Sequence, residues 1–264
     1  MPMIILEPVG GLCNRMRAIA SALSVAKALD RRLWLIWRRD STLNAAFEEL
    51  FERPIGIDRI ITLNSRLAIR GWDVFASFFC DRRWDEHEVS GWLEDASAAD
   101  RLQHARRAFL RTSSMFYEPC NFADFRPVKE LRECIDRYRG SLGDAVGLHI
   151  RRADNEKSRN YSPTELFIAA IQEEIKDDPA VRFFLATDSE EEEAFLTGKF
   201  NGRLLVHSKQ SLRRDGPTAI RDAVIDLYCL AACRKIYGSF WSSFSETAQR
   251  LGSAELHVLS RERS

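Results

Sequence analysis

From Ala145 to Leu259 the chain alternates short apolar runs with helical patterns, and that alternation restricts the fold more than any other feature. Ala145 to Ile150, Val181 to Ala186, Arg203 to Val206, Lys235 to Tyr237 and Glu255 to Leu259 have the length and composition of buried strands. Helices are predicted between them. Ser162-Pro163-Thr164-Glu165 spells a capping box ahead of a helix running to about Ile175, and Thr187-Asp188-Ser189 caps one opened by Glu190 to Glu193. Ile220, Ala223, Val224, Leu227 and Ala231 form a helical stripe, and a second capping box at Ser243 to Glu246 opens a helix ended by Gly252. Alternating strands and helices imply an α/β fold with a parallel sheet and right-handed crossovers.

The N-terminal half opens in the same way. Met3 to Leu6 reads as a strand and Val9-Gly10-Gly11 as a turn. Met16, Ile19, Ala20, Leu23 and Ala26 mark a helix to about Leu29, and Leu33 to Trp37 is the next strand. Asn14, Arg15 and Arg17 sit on the first turn of that helix, whose N-terminus is positive and lined with free N–H groups. Neither GxGxxG nor a Walker lysine is present, so no dinucleotide fingerprint or P-loop is supported. Arg31, Arg32, Arg38 and Arg39 bracket Trp34 and Trp37 as the charged ends of a buried strand, the better account than a membrane-surface patch. Asn64 to Ser97 mixes aromatic and charged residues without a clear period, which suits either core packing or a carbohydrate-binding cleft. Ala98 to Leu110 is helix-like and Asn121 to Pro127 linker-like. A helix over Val128 to Arg139 is stopped by Gly140, where a domain boundary is expected, dividing the chain into 1–140 and 141–264.

Composition narrows the partners. The 264 residues are 45% hydrophobic, enough for a packed core, and Lys plus Arg equals Asp plus Glu at 39 each. A net charge of zero removes any global electrostatic argument for nucleic acid, so anion binding must be local. The six cysteines show no framework spacing and no CxxC, which points to buried thiols and a reducing, cytoplasmic compartment. No signal peptide and no transmembrane segment are expected, and His87 and His104 lack companions for a metal site.

The chemistry concentrates at strand ends. His149-Ile150-Arg151-Arg152-Ala153-Asp154 closes the strand from Ala145 with two arginines and an aspartate. Alternation puts His149 and Arg151 on one face and Leu148 and Ile150 on the other. Arginine offers a permanent charge and a planar fork matched to phosphate. Taken alone, this stretch suits equally a phosphate site or a plain strand with surface ion pairs. Thr187-Asp188 and the serine-rich turn Ser239 to Ser245 end two further strands. In a parallel sheet such ends share one edge, where ligands bind, so the three signals together favour a nucleotide-phosphate site.

These residues resemble a family. His149-Ile150-Arg151-Arg152-Ala153-Asp154, Ala186-Thr187-Asp188 and Ser239-Phe240-Trp241-Ser242-Ser243-Phe244-Ser245 are similar to the three motifs of the α1,6-fucosyltransferase and protein O-fucosyltransferase superfamily, which includes the bacterial nodulation-factor fucosyltransferases. Gly10-Gly11-Leu12-Cys13-Asn14-Arg15 also resembles the family's N-terminal glycine-asparagine turn. The resemblance implies a GT-B fold of two facing Rossmann-like domains, the first on the acceptor side and the second binding the nucleotide sugar. It further implies GDP-fucose as donor, a glycan or other hydroxyl acceptor, inversion at the anomeric carbon, and no metal or other cofactor. Residue by residue, Arg151 would hold the β-phosphate, with His149 and Arg152 in the same motif and Asp154 fixing the arginines or contacting the nucleotide. Asp188 would line the guanosine pocket, Ser242 and Ser243 would face the diphosphate, and Gly11, Asn14 and Arg15 would bind substrate from the first domain. A glutamate shortly after the arginine motif serves as base in the core α1,6 enzymes; Arg159 stands at that count, and Glu156, displaced from it, is the candidate base here. Alternatives are a transferase for another GDP-sugar, such as GDP-mannose, and a non-catalytic nucleotide-sugar-binding protein.

Overall fold

The computed structural model describes residues 2–152, 156–209 and 216–261. Its strands are β1 (Met3–Pro8), β2 (Arg32–Arg38), β3 (Ile57–Leu63), β4 (Arg82–Trp84), β5 (Arg107–Thr112), β6 (Val146–Ile150), β7 (Phe183–Thr187), β8 (Leu204–Val206), β9 (Lys235–Ser239) and β10 (Glu255–Leu259). Its helices are α1 (Leu12–Ala28), α2 (Arg66–Phe79), α3 (Glu86–Val89), α4 (Ala98–Gln103), α5 (Lys129–Leu142), α6 (Glu156–Tyr161), α7 (Thr164–Asp177), α8 (Glu190–Lys199), α9 (Pro217–Ala231) and α10 (Ser243–Leu251). They form two five-stranded sheets, ordered β3-β2-β1-β5-β4 and β10-β9-β6-β7-β8, with every strand pairing parallel. The chain divides into two compact units, Met1–Val128 with Arg214–Ile220, and Lys129–Arg213 with Arg221–Ser264. Helix α5, which precedes the boundary expected near Gly140, is therefore grouped with the second unit.

Each sheet is built around its middle strand. β1 and β6 are buried along their whole length, which is why they read as continuous apolar runs rather than alternating ones. In the second unit Leu148 and Ile150 of β6 pack with Phe183 and Leu185 of β7 against Phe167 and Ile171 of α7, all fully buried. Burying side chains of this size contributes about 1.5–3 kcal/mol each. On the opposite face of β6, His149 stacks on Phe244 of α10 with centroids 4.8 Å apart. In both sheets the chain order reverses beside the middle strand, between β1 and β5 and between β6 and β9. Such switch points open a crevice beyond the carboxyl ends of the strands.

Several sequence expectations are corrected. Ala98 to Leu110 is not one helix: α4 ends at Gln103, and β5 follows as the strand beside β1. Ala108, Phe109 and Leu110 are a buried run too short to show a period. The Asn64 to Ser97 stretch contains α2, β4 and α3, with Trp72 and Trp92 in the core. Asn121 to Pro127 is packed rather than linker-like, since Phe122 and Phe125 are buried and Phe125 meets Phe51 edge-on at 5.6 Å. Helix α5 runs through Gly140 to Leu142, and the left-handed residue beyond it is Gly143. The polar stretch after Asp154 contains a further short helix, α6.

Candidate functional site

The carboxyl edge of the second sheet is tied together by hydroxyl and carboxylate side chains that accept from the backbone. Ser239, at the end of β9 and 1% exposed, accepts a hydrogen bond from the Arg151 N–H at 3.0 Å and donates to the His149 carbonyl at 3.2 Å. It thereby clamps the end of β6 to the end of β9 across the switch point. Asp188, just past β7, accepts from the Arg152 N–H at 2.6 Å and clamps β6 to the other side. The Ser158 hydroxyl donates to the Arg151 carbonyl at 3.1 Å. The two arginines thus stand on a backbone held from three directions.

The Arg152 guanidinium reaches Thr164 Oγ1 and Glu192 Oε1, both at 3.2 Å, and lies 5.9 Å over the Phe167 ring. Thr164 Oγ1 donates to the same Glu192 oxygen at 2.6 Å. Arg152 is therefore held by α7 and α8, while Arg151 is half-buried. Beside Arg152 lies an open groove of about 910 Å³, lined by Asp188, Ser189, Arg159 and Phe195 among others.

The serine turn completes this edge. Trp241 has a positive φ of 57° and is 62% exposed. A bulky residue in the left-handed region costs about 1–3 kcal/mol and persists where the surroundings impose it. Ser242 is the N-cap of α10, yet its side chain makes no capping hydrogen bond, and its buried Oγ has no partner among the described residues. A buried hydroxyl in that position is a donor awaiting an acceptor. Ser243 opens α10 as its first helical residue rather than its N-cap, so the capping box expected at Ser243 to Glu246 is absent. The box expected at Ser162 to Glu165 is likewise absent, with Pro163 as N-cap of α7. Ser162 instead accepts from the Phe240 N–H at 2.7 Å and donates to the Leu259 carbonyl at 2.5 Å, fixing the same turn from below. Gly238 lets α10 come this close, because a Cβ there would lie 2.6 Å from Ser245 Oγ.

Glu156, the candidate base, is the exposed first residue of α6, and Asp154 lies outside the described residues. Arg159, standing where a glutamate was sought, donates from Nη1 to the Arg152 carbonyl at 3.0 Å. Among the described residues no group of three or more His, Cys, Asp or Glu could hold a metal ion.

In the first unit, Gly11 is the N-cap of α1, and a Cβ there would meet nothing within 4 Å. Gly10, at φ 81°, is the residue that needs to be glycine; its Cβ would lie 3.0 Å from Asn14 Nδ2. Arg15 is enclosed by protein rather than presented to a ligand. It is fully buried, donates to the Gly10 carbonyl at 2.8 Å, the Arg38 carbonyl at 2.5 Å and Asp40 Oδ2 at 2.9 Å, and lies 4.8 Å over Trp37. Burial pushes Asp40 up, but hydrogen bonds from Thr42 and the charge of Arg15 outweigh it and hold this carboxyl below its ordinary value. At the end of β1, Glu7 is fully buried between Arg38 at 2.9 Å and Arg111 at 3.1 Å. Burial raises its pKa despite both arginines. Sequence reasoning missed Glu7, Ser162 and the Thr164–Glu192 pair as parts of the site, and marked Ser239 only through its place in the serine-rich turn.

No family model matches the sequence, and a search of curated proteins finds no match. Solved structures do match. The fucosyltransferase NodZ from Bradyrhizobium superposes with a TM-score of 0.65 at 18% identity, over 96% of this chain and 94% of that one. A variant of Arabidopsis thaliana FUT1 in complex with GDP gives 0.65 at 13% identity, over 99% and 71%. POFUT1 in complex with GDP gives 0.56 at 12% identity, over 98% of each chain. This chain shares with these structures its fold, a GT-B fold.

Proposed function

We propose that this protein is an inverting glycosyltransferase that moves fucose from GDP-fucose to a hydroxyl acceptor. The observation that carries the reading is the double clamp on the arginine motif, in which Ser239 holds the Arg151 N–H and Asp188 holds the Arg152 N–H at a topological switch point. Breaking a sugar–phosphate bond leaves charge on the departing diphosphate while the sugar becomes oxocarbenium-like. A cation fixed on a rigid strand end stabilises that charge without reorganising during the reaction. Arg151 supplies the cation, Ser242 Oγ and the N-terminus of α10 supply further donors, and no metal is required. Arg152 and Asp188 position the motif, Arg15 shapes the glycine turn of the first unit, and Gly11 leaves open space above α1. Glu156 is the proposed base for the acceptor hydroxyl. The NodZ structure soaked with GDP-fucose and the POFUT1 complex with GDP lend support through the shared fold.

The test is thermal shift against GDP, GDP-fucose, GDP-mannose, UDP and ADP in EDTA, followed by transfer to a glycan panel. Stabilisation by GDP compounds alone, with turnover of GDP-fucose, is expected. Stabilisation that needs added Mg²⁺ or Mn²⁺ would refute the metal-free mechanism, and preference for GDP-mannose would reassign the donor. Arg151→Lys should fold normally and lose about a hundredfold in kcat, since one point donor replaces a two-pronged contact. The position of Arg159 favours one second reading, a binding protein without a base. It predicts GDP binding with neither transfer nor hydrolysis.

A further inference from the structure

Helix α2 carries two apolar faces, and the sheet of the first unit accounts for only one. Trp72 and Ala76, with Ala68, Ile69 and Phe79, pack on Ile5, Ile36, Leu63 and Phe109. Successive helical residues turn by about 100°, which places Leu67, Gly71, Val74 and Phe78 together in one outward sector. Leu67 is 82% exposed, Phe78 86% and Val74 59%. A helix that only covers a sheet has no use for this second stripe.

The surroundings of the stripe are cationic. Arg66 and Arg70 border it along one edge of α2 and are exposed. On the same side of the sheet, Arg59 lies 4.9 Å over Trp34, Arg83 5.3 Å over Phe109 and Arg107 4.5 Å over Phe79. Carboxylates on this side are engaged: Asp73 pairs with Arg38 at 3.3 Å, Glu7 is buried between Arg38 and Arg111, and Asp81, just past the end of α2, accepts from the Arg106 and Arg107 N–H groups. In a chain of zero net charge this is a local concentration of cations around apolar tips. Apolar side chains rimmed by arginines, on a helix too short to cross a bilayer, match the interface of an anionic membrane. A second copy of the chain would bring two cationic faces together, and a nucleic acid offers nothing to Leu67, Val74 and Phe78.

We propose that the α2 face of the first unit rests on an anionic lipid surface, with Leu67, Val74 and Phe78 in the acyl boundary and the flanking arginines at the phosphate level. The inference stands apart from the transfer reaction and is tested without it. The intact protein is sedimented with phosphatidylcholine vesicles, with or without about a third phosphatidylglycerol, at about 0.1 M and 0.5 M salt. Binding to the anionic vesicles alone, weakened at the higher salt, is expected. Leu67→Ser/Phe78→Ser and Arg66→Glu/Arg70→Glu should each lower partitioning by at least about tenfold while melting like the parent, because the altered side chains are exposed. Failure to bind anionic vesicles overturns the proposal. So do equal binding to both compositions and unchanged binding by the Leu67→Ser/Phe78→Ser protein. A dimer in light scattering that Phe78→Ser dissolves overturns it as well, by assigning the face to self-association.

Discussion

Replacing Ser239 by alanine removes one oxygen and tests the arrangement on which the proposed site depends. The hydroxyl is buried and serves two backbone groups, accepting from the Arg151 N–H at 3.0 Å and donating to the His149 carbonyl at 3.2 Å. Alanine keeps the Cβ and the strand geometry, so packing changes little. The Arg151 N–H loses a protein acceptor, and an orphaned buried donor costs about 1–3 kcal/mol. The carbonyl has a second lone pair and loses less, so a total near 2 kcal/mol is expected. With Arg151 no longer tethered to β9, GDP affinity should fall about tenfold, equivalent to about 1.4 kcal/mol. Urea denaturation followed by circular dichroism measures the stability term. Tryptophan fluorescence supplies a contrast, because of the six tryptophans only Trp241 lies in the second unit. The dichroism transition should move to lower urea while the fluorescence transition moves less. Ser239→Cys, keeping a weak donor and acceptor, should fall between. A stability change below about 0.5 kcal/mol together with unchanged GDP affinity would refute the clamp.

Three further outcomes are expected. Gly238→Ala should destabilise by about 1–3 kcal/mol in melting experiments, since its Cβ would lie 2.6 Å from Ser245 Oγ and 3.0 Å from Leu256 Cδ1. Adding Ser245→Gly should restore part of that loss. Glu174 accepts from Arg234 at 2.7 Å, Lys235 at 2.6 Å and Tyr237 at 2.7 Å. Burial alone would raise its carboxyl, but hydrogen bonds from Lys235 and Tyr237 and the charges of Lys235 and Arg234 outweigh it and hold the pKa low. A depressed carboxyl stabilises fully above the ordinary glutamate range and loses that contribution as pH falls through the folded pKa. Melting temperature should therefore drop toward acid pH, and Glu174→Gln should be less stable at neutral pH with a shallower acid limb. Arg15→Lys should cost about 2–3 kcal/mol in urea denaturation, because one ammonium cannot serve the Gly10 and Arg38 carbonyls and Asp40 together. Unchanged stability with reduced GDP affinity would instead make Arg15 a ligand contact.

The features legible in the residue order alone are periodic or local. The apolar runs of β1 and β6, the stripe along α1, the Ser189 cap of α8 and the strand–helix alternation each rest on a few neighbouring residues, and all are present. Other features are decided across the sheet. Whether Ala108 to Leu110 continues a helix or lies beside β1 depends on a partner strand about a hundred residues earlier in the chain. The two serines that opened apparent capping boxes lay close enough to other backbone groups to be used differently, Ser162 as a bridge between Phe240 and Leu259 and Ser243 as the first residue inside α10. Arg15 and Asp188 carry charge at positions where a ligand contact was expected. Arg15 is enclosed by the backbone of Gly10 and Arg38, and one oxygen of Asp188 holds the Arg152 N–H. A side chain's type sets which contacts it is able to make. Which of them it does make is settled by the groups that tertiary packing brings within hydrogen-bond reach, and their distance along the chain leaves no local trace in the sequence.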